Sequence, residues 1–144
     1  MTSKRKVFIT GASGLVGEEV LRRMLVDDPS LEAFVLVRDE IRWLLASRRL
    51  GALARRVVPL RGDATLPGLG LDALVRQRVE RETSAVVHAA ADTSFSRSLD
   101  QARFVNTLGT YHVAEIASEC LCLDRFVLVK IGRASCRERV FITV

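Results

Sequence analysis

Three glycines follow directly on a short apolar segment near the amino terminus, where residues 7–17 read V-F-I-T-G-A-S-G-L-V-G. A run with helical spacing of apolar residues comes next. A strand that passes through a glycine-rich turn into a helix is typical of a βαβ unit that binds a dinucleotide. Gly11 permits the sharp turn out of the strand. Gly14 leaves room for a pyrophosphate, and Gly17 lets the helix pack close to the sheet.

The helix after these glycines is expected to direct free amide groups and the positive end of its dipole at the phosphates. Its predicted apolar face consists of Leu15, Val16, Val20, Leu21, Met24 and Leu25. We assign to the cofactor site the motif residues Gly11, Ser13, Gly14, Leu15, Val16 and Gly17. A glycine-rich turn without a ligand is the alternative.

Strand-like and helix-like segments alternate along the rest of the chain. The predicted strands are residues 6–10, 33–38, 56–61, 85–89 and 125–129, and the predicted helices are residues 14–26, 40–53, 71–81 and 99–120. Strands that are apolar throughout and alternate with helices indicate a parallel sheet covered on both faces. We predict an α/β fold, a Rossmann-type doubly wound parallel sheet with strand order 3-2-1-4-5, within one domain at residues 1–129.

Composition excludes several classes of protein. No apolar run approaches the about 18 residues of a membrane span, and no signal-like segment precedes the first strand, so we expect a cytoplasmic protein. The net charge of +5 comes from scattered arginines without a nucleic-acid-binding motif. The three cysteines have no metal-ligand spacing. We therefore expect no nucleic acid partner and no metal.

Arg38 ends the second predicted strand, where the adenosine ribose of a dinucleotide would lie. An acidic residue there selects NAD by bonding the 2′-hydroxyl, whereas an arginine accommodates the 2′-phosphate of NADP. Asp39 is adjacent but points the other way along an extended chain. The sequence therefore favours NADP(H), with NAD as the second candidate, and a surface arginine before a turn is the alternative.

Asp63 follows the third predicted strand within L-R-G-D. Its carboxylate is placed to accept a hydrogen bond from the adenine amino group. Aspartate is also common as a turn cap, so both interpretations remain open.

The fourth predicted strand ends in H-A-A-A, and its small residues Ala89, Ala90 and Ala91 suit a floor beneath the ribose and pyrophosphate. We interpret His88 as a packed, hydrogen-bonded histidine, because no serine or carboxylate is placed to pair with it in nucleophilic catalysis. Asn106 lies in the following apolar helix and needs partners there. It either bonds the fourth strand and helps to order water, a supporting role, or stabilises the helix.

Together these pieces resemble the extended short-chain dehydrogenase/reductase family over residues 6–129. The glycine motif, Gly62-Asp63, the alanines after His88, and Asn106 with Gly109-Thr110 occur in the family's order. Three stretches resemble its branch of fatty-acyl-CoA and carrier-protein thioester reductases, namely L-V-R at 36–38, G-D-A-T-L-P-G-L-G-L at 62–71, and A-A-D-T-S-F at 90–95. That resemblance implies NADPH-dependent reduction of an acyl thioester to an aldehyde or alcohol by the full-length parent.

Two other functions stay open: an NAD-dependent nucleotide-sugar epimerase or dehydratase, and a non-catalytic NADP-sensing regulator. The family's catalysis uses a serine or threonine after strand 5 and then Tyr-x-x-x-Lys. The single tyrosine, Tyr111, precedes strand 5, and Glu115 stands where the lysine belongs. We therefore assign no catalytic residue and expect this chain to be inactive alone.

Residues 130–140 read K-I-G-R-A-S-C-R-E-R-V, which matches the in-frame translation of an adapter widely used in short-read sequencing. A match over this length is hard to obtain by chance. We expect residues 130–144 to be a non-native tail and the domain to be truncated after strand 5, which leaves that strand at an open edge. A genuine basic tail is the alternative.

Overall fold

The computed structural model describes residues 5–91, 96, 98–129 and 142–143. Strands and helices alternate along this part of the chain. The strands are β1 (Lys6–Thr10), β2 (Glu32–Val37), β3 (Val57–Arg61), β4 (Thr83–His88), β5 (Arg125–Leu128) and β6 (Ile142–Thr143). The α-helices are α1 (Leu15–Asp27), α2 (Glu40–Leu50), α3 (Ala73–Glu82) and α4 (Leu99–Glu119), and short 3₁₀ helices occupy Gly51–Arg56 and Pro67–Gly70.

The strands form one sheet in the order β3-β2-β1-β4-β5-β6. Its first five members are parallel, which confirms the predicted order 3-2-1-4-5 and the α/β Rossmann-type fold. β6 is an addition that the sequence analysis does not predict. It pairs antiparallel with β5, with Ile142 opposite Val127 and Thr143 opposite Phe126.

Strand register brings several carboxyl ends of the sheet together. Thr10 at the end of β1 is paired with Leu36 of β2 on one side and with His88 of β4 on the other. The chain passes from β1 outward to β2 and β3, and then returns to β4 on the opposite side of β1. A parallel sheet that reverses direction in this way opens a crevice at its carboxyl edge, where ligands bind.

Each face of the sheet carries its own buried core. Because successive strand residues point to opposite faces, Val7 and Ile9 join the core beneath α1 and α2, whereas Phe8 joins the core beneath α3 and α4. Leu21 and Leu25 of α1 lie in the first core, and Val113 and Ile116 of α4 lie in the second. Burial on both faces explains why the strands are apolar throughout.

The predicted apolar face of the first helix is partly wrong. Leu15 is 91% exposed and Val16 is 40% exposed, because the residues of α1 that face the sheet are Gly17, Leu21 and Leu25. These three are spaced four residues apart and define the buried stripe. Gly17 lies where α1 approaches the turn after β1, and a search for apolar side chains does not detect it because glycine has none.

The boundaries of α2 and α3 also differ from the predictions. α2 ends at Leu50 instead of residue 53, because Gly51 takes a φ of +59° and the chain continues as a 3₁₀ helix. α3 begins at Ala73 instead of residue 71. The Asp72 side chain there accepts a hydrogen bond from the Val75 amide at 2.9 Å and caps the helix.

Candidate functional site

A cavity of about 430 Å³ lies at the carboxyl ends of β1, β2 and β4. Its walls include most of the residues that the sequence assigns to the cofactor site, namely Gly11, Ser13, Gly14, Arg38, Asp63, Ala89, Ala90 and Ala91. The remaining assigned residues, Leu15, Val16, Gly17 and Asn106, do not line it. Leu15 and Val16 can serve this cavity only through their backbone amides in the first turn of α1.

The three motif glycines differ in the reason why glycine occupies each position. Gly11 has a φ of +75°, and a Cβ there would lie 2.5 Å from the Ala90 nitrogen, so a side chain is excluded. A Cβ on Gly17 would lie 2.1 Å from the Gly11 carbonyl oxygen, so this glycine sets the distance between α1 and the turn after β1. Both positions need glycine for the fold itself.

Gly14 differs, because the fold does not require it. Its φ is −88°, and a Cβ there would meet only the Gly11 oxygen, at an ordinary 3.4 Å. A side chain would instead enter the cavity at the N-terminus of α1, where no side chain caps the helix. An open face beside uncapped helix amides fits the close approach of a pyrophosphate.

An acidic residue near this helix terminus forms an ion pair with α2. Glu18, in the first turn of α1, accepts hydrogen bonds from Nε and Nη2 of Arg49 in α2 at 2.7 and 2.6 Å. The Arg49 guanidinium holds the pKa of Glu18 below its usual value. The ion pair joins α1 to α2 and partly offsets a negative charge that would oppose a phosphate group.

Two arginines stand at the β2 end of the cavity. Arg38 follows β2, and Arg42 lies in the first turns of α2; both are exposed and line the cavity. Neither guanidinium has a hydrogen-bond or ion-pair partner within the part of the chain that the structure describes. Arg42 is not among the residues predicted from the sequence, although a second arginine in the first turn of the helix that follows Arg38 was a usable signal.

Asp39 also lines the cavity, but its side chain is engaged in capping α2. One carboxylate oxygen accepts hydrogen bonds from the Ile41 and Arg42 amides at 3.0 and 3.1 Å. The expectation that Asp39 points away from the ribose position stays a prediction, because the residue both caps α2 and lines the cavity.

Asp63 acts as a turn cap. Its Oδ1 accepts hydrogen bonds from the amide and the hydroxyl of Thr65, each at 2.8 Å. The residue also lines the cavity, so its carboxylate is held in one orientation at the wall. Of the two interpretations of the sequence, the turn cap is the contact seen, and an adenine contact through the other oxygen remains a prediction.

His88 lines the cavity together with the three alanines that follow it. It is 2% exposed, and its Nδ1 is hydrogen-bonded to Oγ1 of Thr10 at 2.6 Å. The same hydroxyl oxygen accepts a hydrogen bond from the Ala90 amide at 3.2 Å. Burial lowers the pKa of His88 to about 4, so the imidazole is neutral near pH 7. This histidine is therefore packed and hydrogen-bonded, and it fixes the floor of the site.

Asn106 is half-buried in α4, between the wall residues Val105 and Gly109. Its backbone carbonyl accepts a hydrogen bond from the Thr110 hydroxyl at 2.7 Å. The supporting role suggested by the sequence stays a prediction. Tyr111, on the same helix, is 63% exposed and does not line the cavity.

Within the described ranges, no group of three or more histidine, cysteine or acidic side chains is arranged to hold a metal ion. No helix among the residues that the structure covers is both long and apolar enough to cross a membrane.

The sheet order, the glycine turn and the cavity at the switch in strand order define a Rossmann domain that binds NAD(P). The family model described as "Male sterility protein" matches residues 9–140, and the chain belongs to that family. The match extends past residue 129, where the sequence analysis places the end of the domain.

Known relatives support the same family. The chain is 30% identical to a putative fatty acyl-CoA reductase of Drosophila melanogaster over 87% of this chain and 28% of that protein. Among solved structures, the terminal R domain of the myxalamid PKS-NRPS pathway is 32% identical, with a TM-score of 0.68 over 82% of this chain and 33% of that one. The R domain of a nonribosomal peptide synthetase from Mycobacterium tuberculosis is 25% identical, with a TM-score of 0.72 over 86% and 32%.

The chain thus spans about a third of the length of the relatives it matches. Within the extended short-chain dehydrogenases/reductases, it lies in the branch of fatty acyl-CoA reductases and carrier-protein thioester reductases, which are oxidoreductases. The comparisons thereby confirm the family resemblance seen in the sequence.

Proposed function

We propose that this chain is the NADP(H)-binding part of a reductase that acts on acyl thioesters. The preference for NADP(H) rests on one observation, the two guanidinium groups of Arg38 and Arg42 at the β2 end of the cavity. An arginine at this position of the fold suits a 2′-phosphate, and guanidinium groups bind phosphate through several parallel hydrogen bonds.

Each wall of the cavity has a part in this proposal. Gly14 and the first amides of α1 would hold the pyrophosphate, and Arg38 and Arg42 would hold the 2′-phosphate. Asp63 would contact adenine, and Ala90 would support the central part of the dinucleotide. When bound, the cofactor supplies a hydride.

The substrate class comes from the relatives, whose names describe fatty acyl-CoA reductases and the reductase domains of peptide and polyketide synthetases. Hydride delivery to the thioester carbonyl carbon, with a proton to the departing thiolate, yields an aldehyde and a free thiol. This chain has no Tyr-x-x-x-Lys pair to act as acid and to hold the ribose. We therefore propose that it binds the cofactor and leaves the chemistry to groups outside it.

Cofactor selectivity tests the first part of the proposal. We expect the unsubstituted chain to bind NADPH more tightly than NADH in titrations followed by nicotinamide fluorescence. Arg38→Ala should raise the Kd for NADPH about tenfold by removing a charge-assisted contact, and leave the Kd for NADH nearly unchanged. Arg81→Ala removes the same charge from the end of α3, away from the cavity, and serves as the control. Equal affinity for both cofactors in the unsubstituted chain would contradict the NADP(H) preference.

Turnover tests the second part. With NADPH and a long-chain acyl-CoA, the chain alone should give no loss of NADPH absorbance above the rate without protein. Aldehyde formed in proportion to NADPH consumed would show that the chain supplies its own acid, and this part of the proposal would fail.

A further inference from the structure

One wall of the cavity is made by the loop that connects β3 to α3. This loop comprises residues 62–72, with a short 3₁₀ helix at Pro67–Gly70, and its residues Asp63, Ala64 and Thr65 line the cavity. Apart from the Asp63 cap, the loop is closed by backbone hydrogen bonds, from the Asp63 amide to the Leu69 carbonyl at 2.9 Å and from the Leu66 amide to the Asp63 carbonyl at 3.0 Å.

This loop contains backbone strain. Leu69 is fully buried with φ 59° and ψ 19°, a left-handed conformation that is uncommon for a residue with a side chain. A Cβ on Gly62 would lie 2.3 Å from the Leu69 carbonyl oxygen, so the loop also folds tightly back on its own start. Strained conformations of this kind persist where surrounding contacts hold them.

One such contact comes from α4. His112 is only 7% exposed, and its Nδ1 lies 2.9 Å from the Ala64 carbonyl oxygen. A carbonyl oxygen can only accept, so Nδ1 carries the hydrogen and donates it. One turn earlier, Gly109 faces the same loop, and a Cβ there would make only an ordinary contact of 3.5 Å with the Ala64 Cβ.

We propose that His112 is a positioning residue for the cofactor site, and this rests on the proposed function. His112 is not among the residues that line the cavity, whereas its hydrogen-bond acceptor Ala64 is. By donating to Ala64, the imidazole fixes the loop against α4 and sets the wall on which the adenosine half of the cofactor rests. The nicotinamide half lies at the other end of the dinucleotide and does not depend on this bond.

Two substitutions separate hydrogen bonding from packing. His112→Leu keeps a large buried side chain but removes the donor, and His112→Asn places an amide N–H near the former Nδ1 position. Ser118→Ala is the matched control, because it removes one hydrogen bond from a side chain of the same helix, to the Glu115 carbonyl, far along α4 from the loop.

Binding is measured for NADPH, for its 2′-phosphoadenosine half and for reduced nicotinamide mononucleotide. We expect His112→Leu to weaken NADPH and the adenosine half equally, by about fivefold, which corresponds to the loss of one hydrogen bond. The mononucleotide should bind as before, and His112→Asn should restore most of the lost affinity. Unchanged affinity in His112→Leu, or no recovery in His112→Asn, would overturn the positioning role.

Amide hydrogen exchange gives a readout that needs no cofactor. In His112→Leu, the amides of Thr65 and Leu66, which are hydrogen-bonded within the loop, should exchange faster, while those in the centre of β1 should not change. Unchanged exchange in the loop contradicts the role of His112. Failure of the unsubstituted chain to bind NADPH contradicts the proposed function instead, so the two failures are distinguishable.

Discussion

Gly14 and Gly17 belong to one motif but serve different ends. The fold requires glycine at residue 17, whereas we expect residue 14 to matter for ligand binding and not for the fold. Gly14→Ala places a methyl group in the cavity with only ordinary contact to the chain. We expect the free energy of unfolding to change by less than about 1 kcal/mol. The Kd for NADPH should rise about tenfold or more, because contacts to the charged pyrophosphate are lost.

Gly17→Ala is the matched control for this prediction. Its methyl group would overlap the Gly11 carbonyl at 2.1 Å, so the helix must move. We expect a loss of about 2–3 kcal/mol in the free energy of unfolding, measured by urea denaturation. If Gly14→Ala instead lost stability and kept its affinity, the assignment of that glycine to the pyrophosphate would be wrong.

His88 makes stability depend on pH in a defined window. The folded protein holds the pKa of this imidazole at about 4, against about 6.5 when unfolded, so the unfolded state binds more protons between these values. The contribution of His88 is fully present above about pH 6.5 and is lost as the pH falls towards 4. We expect the free energy of unfolding to drop by about 2 kcal/mol between pH 7 and pH 4.5.

The measurement stops at pH 4.5 so that protonation of carboxylates contributes little to the change in stability. Glu18, Glu19 and Glu82 have pKa values below their usual range because of arginine and lysine partners, so their contributions are lost only below about pH 4.5. His88→Asn retains a side chain that can bond Thr10 but does not titrate. Its stability should be nearly flat over this window, and a slope equal to that of the unsubstituted chain would assign the effect to another group.

At the level of the elements, Asp39 both caps the N-terminus of α2 and adds a negative charge to the cavity wall, and substitutions can separate these two effects. Asp39→Ala removes the cap and should lower the free energy of unfolding by about 1 kcal/mol, whereas Asp39→Ser keeps a capping oxygen and should cost much less. Both remove a carboxylate from the cavity wall. NADPH affinity should therefore rise about twofold in both variants, because repulsion of the 2′-phosphate is relieved.

Denaturation and NADPH titration of the two variants check this prediction. A fall in NADPH affinity in both would indicate that Asp39 contacts the cofactor directly, as an acidic residue does when it bonds a ribose hydroxyl. Selectivity for NADH over NADPH would then be the expected property of the unsubstituted chain.

The sequence was sufficient for the kinds of elements and their order, because buried parallel strands and amphipathic helices leave different periodicities. The sequence pattern did not predict the residues at which those elements begin and end. The end of α2 depends on the positive φ of Gly51, and the start of α3 depends on the cap at Asp72. Leu15 belongs to the apolar face predicted from the sequence but is exposed, because hydrophobicity alone does not show that Gly17 faces the strand.

At the level of the whole molecule, the candidate site was predictable where one short segment supplies it. Gly11, Ser13, Gly14, Arg38 and the alanines after β4 line the cavity, whereas Gly17 does not, and their contacts with a cofactor stay a prediction. Contacts between distant segments were not predictable, because they depend on register and on packing between helix and loop. Thr10 meets His88 only because β1 and β4 pair in one particular register, and His112 reaches Ala64 only because α4 packs against the loop that follows β3.

The end of the domain can be tested by truncation. The described residues that line the cavity run from Thr10 to Gly109, so a chain ending at Val129 should bind NADPH as tightly as the 144-residue chain. Among the described residues, this truncation removes the short pairing of β6 with Phe126 and Val127. We expect a cost of about 1–2 kcal/mol in the free energy of unfolding and more aggregation through the open edge of β5. A chain ending at Leu123 also lacks β5, which pairs along β4 from Ala85 to His88, and should lose both folding and binding. If the chain ending at Val129 lost binding as well, residues 130–144 would be an integral part of the domain and not a foreign tail.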